Sequence, residues 1–130
     1  MKIRHAADIM THPVVTIGGE AKLTEAIKML LRHHISGLPV VDPDGRLVGI
    51  VTEQDIMNFA LSGDAADTSV AEVMTKEVIA FPPRTDIATL INCLGNRHIR
   101  RVPIVEGGKV VGIVSRRDIL QEILFLYNRY

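Results

Sequence analysis

Apolar and polar positions along the chain fall into a pattern that occurs twice. Val14 to Ile17 is a short β-branched run that predicts a strand. Thr24 to His34 carries apolar residues at 26, 27, 30 and 31, the spacing of one helix face. Leu38 to Val41 is a second apolar run, and Asp42-Pro43-Asp44-Gly45 is a turn by composition. Leu47 to Val51 completes a hairpin, and Thr52 opens a helix that runs to about Leu61. The second copy predicts a strand over Val78 to Phe81, a helix over Asp86 to Arg97, a hairpin of Val102 to Val105 with Val110 to Val114, and a helix from Ser115 to about Tyr127. Between them Ser62 to Ser69 is small and polar, a linker. Ser69 with Glu72 three residues on predicts a capping box for a short helix carrying Met74.

The copies align along their whole length. DIMTHPVVTI and EVMTKEVIAF open them, HISGLPVVD and HIRRVPIVE fill their middles, and GIVTEQDI and GIVSRRDI close them. Identical pairs include Met10 and Met74, His34 and His98, Pro39 and Pro103, Gly49 and Gly112, and Asp55 and Asp118. An internal repeat of this length is one supersecondary unit used twice. The expected fold class is α/β in the α+β sense: two β-α-β-β-α motifs forming one module over residues 1–130. Motif 1 spans 8–61, the linker 62–69 and motif 2 70–123, with 124–130 as a C-terminal helix extension.

Composition narrows the function. Hydrophobic residues make up 47% and charged residues 23%, an ordinary globular balance. Lys plus Arg and Asp plus Glu number 15 each, so no long-range field draws in nucleic acid or an anionic membrane. Aromatics are 4% with no Trp, which disfavours a base-stacking platform. The single Cys93 excludes an internal disulfide and fits a reducing compartment. The charged start MKIRHAADIM predicts no secretory leader, and no apolar run is long enough for a membrane span. A cytoplasmic location is therefore expected.

The candidate chemistry lies where hairpin meets helix. Thr52-Glu53-Gln54-Asp55 and Ser115-Arg116-Arg117-Asp118 hold equivalent positions, each after a strand ending Gly-Ile-Val. A hydroxyl followed three residues on by an acid is a capping box, and that structural role is one reading. In the other, the carboxylate accepts hydrogen bonds from a ribose diol, and the helix start offers N–H groups and a positive dipole end to phosphate. The copies differ in charge: Ser36, Gly37, Glu53 and Gln54 in the first stand where Arg100, Arg101, Arg116 and Arg117 stand in the second. Guanidinium forks match phosphate oxygens, so these four arginines are the best phosphate clamp in the sequence, with a solvated basic face as the alternative. Glu53 opposes a phosphate in the first copy if it points inward. His5, His12, His33, His34 and His98 fit no zinc spacing, and His34 and His98 share a helix-end position where a cation complements the dipole. Cys93 sits in an apolar stripe with Leu90, Ile91 and Leu94, as a small hydrophobe. No phosphate-binding Gly-x-x-x-x-Gly-Lys loop and no nucleophile elbow occur, so no enzyme activity and no catalytic cofactor or metal are expected.

These motifs resemble the CBS family over about Asp8 to Ile123. The resemblance implies a paired, or Bateman, module related by a pseudo-twofold axis, with ligands in clefts between the motifs. The implied ligands are AMP, ADP, ATP, NAD-type molecules or S-adenosylmethionine. It assigns Asp55 and Asp118 to ribose, and Thr52 and Ser115 to ribose or phosphate hydroxyl contacts. Arg100, Arg101, Arg116 and Arg117, picked out by the charge difference between the copies, are the expected phosphate partners beside these residues. Backbone around Thr16 and Ala80, and around Gly37, Leu38, Pro39, Val102 and Pro103, frames the adenine. It also implies a homodimer. Ile119, Leu120, Ile123, Leu124 and Tyr127 form one stripe on the last helix, with Phe125 and Leu126 beside it, more apolar surface than a lone domain should expose. The output would pass through self-association or an unidentified effector protein. A non-catalytic interaction module with vestigial clefts is the competing expectation.

Overall fold

The computed structural model describes residues 4–96 and 99–128. The elements run α1 (Ala6–Ile9), β1 (Ile17–Gly18), α2 (Leu23–His33), β2 (Gly37–Val41), β3 (Leu47–Thr52), α3 (Glu53–Phe59), α4 (Val70–Val73), α5 (Ile87–Asn96), β4 (Arg101–Glu106), β5 (Lys109–Ser115) and α6 (Arg116–Tyr127). Helices and strands are thus mixed in the expected α+β order. Among the described residues, no helix is long and apolar enough to cross a membrane.

Two compact units divide the chain, one of residues 15–78 and one of residues up to Val14 together with those from Ile79 onward. Each has its own apolar core. In the first unit Leu23, Ala26 and Leu30 of α2 pack with Leu38, Val40 and Val51 of the hairpin and with Val70. In the second, Leu90 and Leu94 of α5 pack with Val102, Ile104 and Val114, with Ile119 of α6 and with Ala6. The helical spacing read from the sequence thus buries one edge of each helix, while Leu31, Ile91, Leu120 and Leu124 on the neighbouring edge are exposed. Cys93 is half-buried against the second core.

The hairpins share a register, Gly37 opposite Thr52 and Arg101 opposite Ser115, with a bulge at Val40/Val41 and at Ile104/Val105. The Glu106-Gly107-Gly108-Lys109 turn puts Gly107 and Gly108 at φ 59 and 83, the conformation a two-residue hairpin turn demands. The longer first turn is held by Asp42 Oδ1, which accepts from the Asp44 and Arg46 amides at 2.9 Å.

The expected leading strands are shorter than the sequence suggested. Over Val14 to Ile17 a ladder forms at Ile17 and Gly18, parallel to Val40 and Val41. Over Val78 to Phe81 a single parallel bridge links Phe81 to Ile104. Pro82 and Pro83 follow it and have no N–H to extend a ladder. β-Branched runs favour extended backbone, but pairing needs a partner strand in reach. Helix α3 closes at Phe59, short of Leu61. The start at Ala6–Ile9 is helical, an element the sequence reading did not anticipate.

Candidate functional site

Each Thr/Ser-x-x-Asp motif folds as a complete capping box. Asp55 Oδ2 accepts from the Thr52 amide and hydroxyl, both at 2.9 Å, and the Asp55 amide donates to Thr52 Oγ1 at 3.2 Å. Asp118 Oδ2 accepts from the Ser115 amide at 2.8 Å and hydroxyl at 3.1 Å, and its amide donates to Ser115 Oγ at 3.3 Å. The capping role is therefore realised in both copies. It does not exhaust the carboxylates, because each keeps Oδ1 outside its box. Both aspartates, Thr52 and Ser115 are half-buried.

The other carboxylate oxygen has a partner that sequence reasoning missed. Thr75 Oγ1 donates to Asp55 Oδ1 at 3.0 Å, and Thr11 Oγ1 donates to Asp118 Oδ1 at 3.3 Å. These threonines come from the Met-Thr pairs that open the repeats, each serving the hairpin of the opposite repeat. Within the second unit Thr11 exchanges backbone hydrogen bonds with Ile113, 2.8 and 3.2 Å. Within the first, Thr75 does the same with Ile50, 2.8 and 2.9 Å. Met10 packs over Gly112 and Met74 over Gly49 so closely that a Cβ on either glycine would overlap the methionine sulfur. The signal was available: Met-Thr is identical in the two copies, and so is the glycine each methionine covers.

The helix starts are less open to an anion than the sequence suggested. The first amide of α3, on Glu53, donates to the Ser36 carbonyl, and the first of α6, on Arg116, to that of Arg100, both at 3.0 Å. The amides of Asp55 and Asp118 are spent on the caps. Two of the early N–H groups in each helix are thus already engaged within the chain. Arg100, Arg116 and Arg117 are exposed and Arg101 is half-buried at the start of β4. Arg116 Nε donates to the Ile99 carbonyl at 3.2 Å. Glu53 and Gln54 are exposed at the matching place in the first unit.

Of the expected adenine frame, Thr16 and Ala80 are half-buried, while Gly37, Leu38, Pro39, Val102 and Pro103 lie in the buried interiors of β2 and β4. Thr16 and Ala80 thus keep some exposed surface, whereas the five strand residues keep little or none. His34 caps α2 in a left-handed conformation, φ 53, whereas its repeat partner His98 lies outside the described residues. Among the described residues, no group of three His, Cys, Asp or Glu side chains could hold a metal ion.

The second unit has a further feature. Glu122 of α6 is buried, at 4% exposure, the one buried charged side chain among the described residues. Arg4 meets it with a two-pronged contact, Nε to Oε2 and Nη2 to Oε1, each 3.0 Å. The guanidinium also lies 5.5 Å from the centre of the Phe125 ring. The hydrogen bond to Glu122 holds the Arg4 guanidinium above its ordinary range.

Comparison with known proteins agrees with this duplicated design. The CBS domain family model matches residues 6–62 and again 70–125. The chain is 32% identical over 113 residues to the CBS domain-containing protein YhcV of Bacillus subtilis, covering 86% of this chain and 80% of that protein. It is 33% identical over 119 residues to the A-adding tRNA nucleotidyltransferase of Geobacter sulfurreducens, of which it spans 13% while 92% of this chain is covered. Among solved structures, the CBS domain pair of protein MJ0100 in complex with 5′-methylthioadenosine and S-adenosyl-L-methionine superposes with a TM-score of 0.85 at 31% identity, covering 95% of this chain and 98% of that one. The chain belongs to the CBS domain family and carries two copies of the motif.

Proposed function

We propose that this CBS domain pair is a regulatory module that binds an adenosyl ligand, with Asp55 and Asp118 taking the ribose. The observation that carries this reading is the twin carboxylate. Each is fixed by its capping box at the end of a buried hairpin, and each keeps Oδ1 beside an exposed threonine. The 31% identical pair from MJ0100 holds two adenosyl compounds, which supports the same ligand class here. Thr52 and Ser115 assist at the hydroxyls, and Thr16 and Ala80 frame the adenine above the strands of Gly37, Leu38, Pro39, Val102 and Pro103. Arg100, Arg101, Arg116 and Arg117 give the Asp118 site a preference for anionic tails, such as those of AMP, ADP, ATP or NAD, over the cationic sulfonium of S-adenosylmethionine.

The module acts without catalysis of its own, in the cytoplasm, and passes its signal through assembly or an effector protein. Leu120, Leu124, Phe125, Leu126 and Tyr127 of α6 are exposed, Leu120 to 65% and Tyr127 to 76%, and this face supports a homodimer. Light scattering at micromolar concentration is expected to give twice 14.3 kDa, and a monomer with and without nucleotide would refute that part of the reading.

Thermal melts with AMP, ADP, ATP, NAD and S-adenosylmethionine test the ligand class. A ligand at 100 times its dissociation constant stabilises the folded state by about 2.7 kcal/mol, a readily measured shift. If none shifts the melt and mass spectrometry of the denatured protein finds no co-purified nucleotide, the interaction-module reading replaces this one.

A further inference from the structure

From the second contact on each carboxylate we infer that Thr11 and Thr75 are specificity-determining residues of the two sites, aiming the aspartate and supplying the second acceptor for a ribose diol. The inference rests on the ribose reading of Asp118 and Asp55 and adds to it residues from the opposite repeat.

A carboxylate oxygen accepts about two hydrogen bonds. Oδ2 of each aspartate already takes two, from the amide and the hydroxyl of its own cap residue. Oδ1 takes one from the threonine, which leaves room for one further donor. A vicinal diol brings two. The aspartate alone cannot satisfy both without giving up its cap or its threonine. Threonine Oγ1 spends its proton on Oδ1 and keeps its lone pairs, so it can accept the second hydroxyl. The pair Asp Oδ1 and Thr Oγ1, 3.0 to 3.3 Å apart, then forms a two-point acceptor for neighbouring hydroxyls.

Two further observations fit this role. Both threonines are exposed, although each is anchored by a two-way backbone exchange and follows a half-buried methionine packed on a glycine, so an accessible residue sits on a fixed mount. The arrangement also occurs twice in segments whose flanking residues differ, His12-Pro13 in one and Lys76-Glu77 in the other. A threonine kept merely to fill space would leave no reason for the same donor to meet the same carboxylate oxygen in both halves.

The test is calorimetric titration of the full chain with AMP and with 2′,3′-dideoxy-AMP. The proteins are the parent, Thr11→Val, Thr11→Ser and Asp118→Ala, with the same set built at Thr75 and Asp55. Thr11→Val keeps the shape and removes the hydroxyl. It is expected to lose roughly fivefold or more in AMP affinity, the worth of about one hydrogen bond, with no loss towards dideoxy-AMP. Thr11→Ser should bind AMP like the parent. If Asp118→Ala and Asp55→Ala weaken AMP but neither valine variant does, the threonine role is wrong and the ribose reading stands. If a valine variant loses AMP and dideoxy-AMP alike, the residue is structural and the inference falls. If neither alanine variant changes AMP binding, the ribose reading itself fails and this inference with it.

Discussion

The two halves share a backbone design and differ in what is mounted on it. Each has a bulged hairpin, a capped helix behind it, a carboxylate held by its own box and a Met-Thr pair on its far edge. On that common frame the first half carries Ser36, Gly37, Glu53 and Gln54 where the second carries four arginines. The closing helices diverge as well. Helix α3 has 7 residues, and its Phe59 packs on the apolar core. Helix α6 has 12 residues, and the matching position is Glu122, buried against Arg4. The positions that set geometry are thus the duplicated ones, while those that set charge and helix anchoring are free to diverge. The charge beside each carboxylate thus differs between the halves while the scaffold that holds the carboxylate does not.

The anchoring difference should give the largest effect. Arg4→Ala strands a carboxylate at 4% exposure, and loss of one partner of a buried pair costs about 3–5 kcal/mol in general. Arg4 itself is 34% exposed, so solvent relieves part of that, and about 2–3 kcal/mol is expected in denaturant melts. Hydrogen exchange should rise first in α6 and leave α3 near the parent rate. The double variant Arg4→Met, Glu122→Leu should recover most of the loss, because an apolar pair carries no desolvation cost. Equal loosening of both halves would show that the pair is not specific to the second.

The proposed ligand sites should differ next. Asp118→Ala and Asp55→Ala each lose a cap, about 0.5–2 kcal/mol of stability, and in that respect should match. In affinity they should part. Loss of charge-assisted hydrogen bonds to ribose is worth about 1.5–3 kcal/mol, more than tenfold. Asp118→Ala is expected to do more damage to AMP binding because the arginines lie in its half. Titration of both variants, with melts alongside, reads the two roles separately. Asp118→Ala that melts early but binds AMP like the parent would leave it a cap alone. Asp55→Ala as the more damaging change would show that the arginines do not mark the stronger site.

How much of this could be read from the residues follows the same division. The repeat, the two hairpins, the four longer helices and the Thr/Ser-x-x-Asp boxes were legible, because turn chemistry, helical spacing and capping are local and each occurs twice. The ladder at Ile17–Gly18 and the single bridge at Phe81 were not, since β-propensity does not say how far a partner strand extends. The pairing of Thr11 with Asp118 and of Arg4 with Glu122 joins residues more than a hundred positions apart, and no local pattern announces it. Glu122 reads as a polar position on an amphipathic helix until Arg4 is found above it. The exposure of Leu120 and Leu124 is the converse case, where spacing identifies an apolar stripe but not how much of it the core covers.

The smallest expected difference lies in the short helices that precede the Met-Thr pairs, and it depends on pH. Ahead of Met74, Glu72 accepts from both the Ser69 amide at 2.7 Å and the Ser69 hydroxyl at 2.9 Å. Ahead of Met10, the matching Asp8 accepts from the His5 amide at 2.7 Å, with His5 Nδ1 at 3.9 Å in place of a hydroxyl. The Ser69 amide, and then its hydroxyl, hold the Glu72 carboxyl below its ordinary value of 4.5, with a smaller pull from Lys22. A carboxylate whose folded value lies below its unfolded one stabilises the fold at pH above the unfolded value. That contribution is lost as pH falls through the folded value. Glu72→Gln keeps an oxygen that can accept from Ser69 but removes the charge. The variant should therefore melt slightly below the parent at neutral pH, and the gap should close as pH drops below the ordinary carboxylate value. Melting temperatures of the pair across that range check the sign. A gap that stays constant or widens in acid would mean that the charge on Glu72 contributes nothing to the start of α4, and that Ser69 holds its cap by geometry alone.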